Sequence, residues 1–67
     1  METQYVVFGR GGQFIVTAES RPMAIQLVLV HTDTLGQPFA ADTWQANALN
    51  RYTPQTRKEL IAESVKL

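Results

Sequence analysis

The run Ser20-Arg21-Pro22-Met23-Ala24-Ile25-Gln26-Leu27-Val28-Leu29-Val30-His31 restricts the possible folds more than any other stretch of the chain. Ser20 is a natural N-cap, and Pro22 suits the first turn, where its missing N–H needs no partner. Gly36 and Pro38 close the segment, so the helix they bound is expected to end near Thr34 or Leu35. Within it, Gln26 is the one clearly polar position between Met23 and Val30. Ala24, Leu27, Val28 and His31 fall on one side, Ile25 and Leu29 on another, Met23 and Val30 on a third. A helix that is apolar all round has to be covered all round. The rival reading makes Ile25 to Val30 a buried strand, because Val-Leu-Val is strand-like; the Ser-x-Pro start and the glycine stop favour the helix.

Before that segment, Gln4 to Phe8 and Gln13 to Ala18 are rich in β-branched and aromatic residues and flank Gly9-Arg10-Gly11-Gly12, which is the pattern of a β-hairpin. Which side chains share a face depends on the length of the turn. A three-residue loop with a glycine at positive φ would put Val6 and Phe8 with Phe14, Val16 and Ala18, leaving Tyr5, Val7 and Ile15 opposite; two or four loop residues would regroup them. In each register both faces keep large apolar groups, more than one helix can cover.

Beyond Pro38 two readings compete. Asp42-Thr43-Trp44-Gln45 matches a capping box, and Trp44, Ala48 and Tyr52 recur every four residues, so a short helix is predicted over 43–52. The alternative is a third strand over 39–46. In the last segment Thr53 is an N-cap and Pro54 an N1 residue. Leu60, Ile61 and Val65 then form an amphipathic face opposite Arg57, Lys58, Glu59 and Glu63. The fold class expected is α+β: an N-terminal antiparallel hairpin packed on a central apolar helix, then one or two further helices, with a possible third strand near residues 39–46.

Sixty-seven residues make a single domain, 1–67, near the lower limit for an autonomous core. Such domains are commonly stapled by disulfides, a metal or a partner. With no cysteine and one histidine, disulfides are excluded and neither a structural metal nor a cofactor is expected. That leaves self-association or a partner, alongside good packing, and a homodimer is the expectation. Six basic and six acidic residues cancel, so no overall field draws the chain to nucleic acid or an anionic membrane. The start Met1-Glu2-Thr3-Gln4 lacks a basic secretory leader and no apolar run is long enough to span a bilayer, so a cytoplasmic location is expected.

Chemistry is sparsely signalled. Gly9-Arg10-Gly11-Gly12 resembles a phosphate loop in composition, but phosphate loops lead into a helix, and here a strand follows. His31 and Asp33 could in principle form a base with its orienting carboxylate; without a placed nucleophile or a second histidine, a favourable contact with the helix dipole explains His31 better. No catalytic residue is expected. Arg10, Trp44, Arg51, Tyr52, Arg57 and Lys58 are the candidates for binding a partner, since aromatics interleaved with arginines serve both protein hot spots and single-strand nucleic-acid surfaces. Two helices meeting at Tyr52-Thr53-Pro54, the second running to Lys66, would also fit a helix-turn-helix, although Glu59 and Glu63 on its exposed face would repel phosphates.

Phe14-Ile15-Val16-Thr17-Ala18, followed by Ser20-Arg21-Pro22 and a helix carrying Ala24-Ile25, resembles the look of small accessory proteins of phages and mobile elements, anti-CRISPR and other host-factor inhibitors among them. That resemblance implies a non-enzymatic protein that occupies a surface of a host protein or complex. A small DNA- or RNA-binding regulator using the C-terminal helix pair is the alternative.

Overall fold

A computed structural model describes residues 1–36 and 43–67. Its first two strands, β1 (Thr3–Gly9) and β2 (Gly12–Ala18), are antiparallel, with Gly9 opposite Gly12 and Val7 opposite Phe14. The loop is therefore the two residues Arg10 and Gly11, not three. The positive φ that a glycine was expected to supply lies just after it, at Gly12 (129°). One residue fewer in the loop exchanges the faces of β1. Tyr5 and Val7 now stand with Phe14, Val16 and Ala18, while Val6 and Phe8 stand with Ile15.

The helix expected over 43–52 is a strand. Trp44–Ala48 forms β3, antiparallel to β1, with Trp44 opposite Gly9, Ala46 opposite Val7 and Ala48 opposite Tyr5. The alternation Trp-x-Ala-x-Ala fits the pleat, with Trp44 and Ala46 buried and Gln45 exposed between them. A third strand was the alternative reading, although its proposed first residues, 39–42, and the capping Asp42 lie outside the described residues. Gly9 is what lets the strands meet here: a Cβ on it would stand 2.5 Å from the Thr43 carbonyl oxygen and 3.0 Å from Cε3 of Trp44. A single 3₁₀ turn, Leu49–Arg51, then carries the chain past the sheet, so Tyr52 lands on the face opposite Trp44.

Helix α1 (Arg21–Thr34) forms as expected. The Ser20 hydroxyl accepts from the Met23 N–H, Pro22 sits in the first turn, and Gly36 takes φ 76° just beyond Leu35. Helix α2 (Pro54–Glu63) is capped by Thr53, whose hydroxyl accepts from the Thr56 N–H. It stops three residues short of Lys66. Ser64 is extended and accepts a hydrogen bond from the Gln13 amide at 2.7 Å. Val65–Lys66 then forms β4, parallel to β2, and the Leu67 N–H donates to the Ile15 carbonyl. Val65 thus belongs to an edge strand and is exposed, rather than lying on the apolar face of a helix.

The sheet order is β3-β1-β2-β4, with a helix on each side. On one face α1 lays Ala24 and Val28 against Val7, Phe14, Val16, Ala18, Trp44 and Ala46. On the other, Leu60 and Ile61 of α2, with Leu49, Tyr52 and Phe8, cover Val6 and Ile15. The two-faced hairpin is therefore satisfied within one chain, and one of the three grounds for expecting a homodimer disappears.

Candidate functional site: an exposed apolar face of the first helix

Helix α1 buries Ala24, Val28 and Thr32, at i, i+4 and i+8. Thr32 is tolerated in the core because its hydroxyl donates to the carbonyls of Val28 (3.0 Å) and Leu29 (3.2 Å). Geometry then places Met23, Leu27 and Val30 on the outer face, 47, 42 and 55% exposed. No element among the described residues covers them. Next to this stripe, between α1 and the β2–β4 edge, lies an open depression of about 520 Å³ lined by Val16, Thr17, Leu27, Val30, His31 and Leu67, with Thr34 at one end. His31 closes its inner wall, edge-to-face with Phe14 at 5.6 Å between ring centres. Peptide groups in a strand alternate sides, so Thr17 presents its N–H and C=O on the same side as Ile15, beyond the last residue of β4.

The six partner-binding candidates do not come together. Arg10 is exposed in the hairpin loop, beside the end of the sheet where Trp44 is buried at 3% exposure, edge-to-face with Phe14. Trp44 is therefore part of the core in the folded chain. Arg51, Tyr52, Arg57 and Lys58 lie at the other end and on the other face. There the Asn47 amide donates to the Tyr52 hydroxyl at 3.0 Å, and Arg51 Nη1 reaches Asn47 Oδ1 at 3.4 Å. Arg57 lines a second depression with Glu2, and Lys58 is exposed next to Glu59, so acidic groups are interspersed among the cations. His31 and Asp33 do not form a pair: His31 packs on Phe14 while Asp33 is exposed. Two residues apart on a helix, they cannot face one another. Among the described residues no group of three His, Asp or Glu side chains could hold a metal, and no helix is long and apolar enough to cross a membrane.

The sequence does not single out this exposed stripe, although it carries its signal. Met23 and Val30 fall on their own side of an all-round apolar helix, and only the tertiary fold decides which side meets the sheet. Compared with protein-family models, curated proteins and solved structures, the chain matches none.

Proposed function

We propose that the chain is a non-enzymatic protein-interaction module whose contact surface is the outer face of α1, and that it acts by occupying a surface of a larger host protein. The observation that carries this reading is the row Met23, Leu27 and Val30, three large apolar side chains about half exposed on a well-capped helix and adjoining an apolar depression. Contiguous apolar surface of this kind marks interaction sites in small soluble domains. The directed action on a host complex, as an inhibitor, comes from the sequence resemblance.

In the absence of that protein the same stripe is self-complementary across a two-fold axis, which gives the homodimer. Magnitudes set its strength. Covering the exposed halves of Met23, Leu27 and Val30 on two copies supplies roughly 1 kcal/mol each, about 6 in all, against an association cost of about 4–15 kcal/mol. Self-association through the stripe alone is therefore weak, and a partner offering a shaped groove competes with it effectively.

The test is affinity purification of the tagged chain from host lysate with two variant sets. Leu27→Glu with Val30→Glu should lose the captured protein while keeping the fold, and Arg51→Ala with Lys58→Ala should retain it. The reverse pattern would move the contact to the C-terminal cations and revive the nucleic-acid reading.

A further inference from the structure

On the opposite side of the sheet lies a depression of about 490 Å³, formed where the start of β1, the 3₁₀ turn and α2 meet. Its apolar lining is Leu49 and Ile61, and Gln4, Asn50 and Glu2 edge it. Arg57 reaches it from α2, one turn before Ile61. Its stem is half-buried, and its Nε is buried with no hydrogen-bond partner. The contrast with other arginines is informative. Arg21 donates Nε to the Ala46 carbonyl at 2.8 Å, and Arg51 uses Asn47, whereas among the described residues none accepts a hydrogen bond from Arg57 Nε. A guanidinium that has given up water on its inner edge without gaining an acceptor is a charge held short of compensation, and such orphaned groups call for an explanation. An anionic ligand supplies one, because a carboxylate matches the guanidinium fork and pairs more strongly where water is partly excluded.

We propose that this depression is a binding site for a small carboxylate with an apolar tail, the carboxylate on Arg57 and the tail on Leu49 and Ile61. The volume lies within the range of small-molecule pockets, and the combination of apolar lining with one charged anchor is their usual make-up. Glu2, at the rim, opposes an anion and sets the affinity low. The site is independent of the α1 face, so either can fail without the other.

The probe is sodium hexanoate, titrated into the full ¹⁵N-labelled chain while the Arg57 Nε–Hε signal is followed by NMR. A saturable shift of that signal is expected, larger than any at Arg10 or Arg51. Acetate, with the charge but no tail, and 1-hexanol, with the tail but no charge, should each fall well short of it. Glu2→Gln should tighten hexanoate binding, and Arg57→Gln should lose it while its backbone spectrum still overlays the native one. The proposal is overturned if hexanoate moves all arginine signals alike and without saturation. It is equally overturned if the Arg57 signal simply follows ionisation of Glu2 and Glu2→Gln leaves hexanoate unbound, for then Arg57 has an internal partner in solution. Should Arg57→Gln unfold, the native titration and its two control ligands decide alone.

Discussion

Replacing Trp44 with alanine removes the largest side chain from the core shared by the sheet and α1. In the folded chain Trp44 is 3% exposed, packs edge-to-face on Phe14 at 5.8 Å between ring centres, and has Gly9 directly opposite. A buried Trp→Ala change costs about 3–5 kcal/mol, which includes the cavity left behind. The lost aromatic pair accounts for about 0.5–1.5 kcal/mol beyond burial. No side chain at Gly9 can move in to fill the gap, so about 4 kcal/mol is expected. For 67 residues, total stability is of the order of 3–10 kcal/mol, so the variant should be largely unfolded or sit at the edge of unfolding. Because Trp44 is the sole tryptophan, urea unfolding of both proteins is best followed by far-ultraviolet circular dichroism. Trp44→Phe, which keeps a ring on Phe14, should retain the fold and lose roughly 1–2 kcal/mol. A well-folded Trp44→Ala protein less than about 1 kcal/mol below the native chain would refute the placement of this ring in the core.

Gly9→Ala should destabilise by about 1–3 kcal/mol in the same urea experiment, because its new Cβ meets backbone at Thr43. Gly36→Ala has open space around it, and should cost only the roughly 1 kcal/mol of its positive φ; equal losses would count against the close β1–β3 approach. In hydrogen exchange, the Leu67 amide, which donates to Ile15, should be protected, whereas the Thr17 amide on the same edge should exchange nearly as fast as an unstructured one. A slow Thr17 amide in the free chain would mean that the edge is already covered.

Local signals in this sequence were readable wherever one residue type does one job. Ser20 with Pro22, Thr53 with Pro54, and Gly36 marked helix ends correctly, because caps and φ restrictions act within a few residues. The hairpin was legible from its β-branched content. Its register was not, because Gly9, Gly11 and Gly12 allow several loop lengths and only packing against α1 and α2 selects among them. The strand at Trp44–Ala48 was masked by a spacing of four shared with Tyr52, although those side chains end on opposite faces of the sheet. Its two alanines carry little strand propensity, and what fixes them is their pairing opposite Val7 and Tyr5. The fourth strand is two residues long and draws its position from Ile15 and Gln13, far away in sequence. For the same reason the six candidate residues scattered: composition identifies residues that suit an interface, whereas the side of α1 left uncovered is decided by the sheet.

Sedimentation equilibrium of the free chain at concentrations raised into the millimolar range, where a weak dimer becomes visible, beside the triple variant Met23→Gln, Leu27→Gln, Val30→Gln, tests the docking face most directly. The native chain is expected to show a small, concentration-dependent rise above the monomer mass, as the weak association of this face requires. The variant should remain monomeric with an unchanged circular dichroism spectrum, since the three side chains face outward. A native chain that stays monomeric throughout, or a triple variant that associates as the native chain does or unfolds, would contradict the assignment of this face as a contact surface.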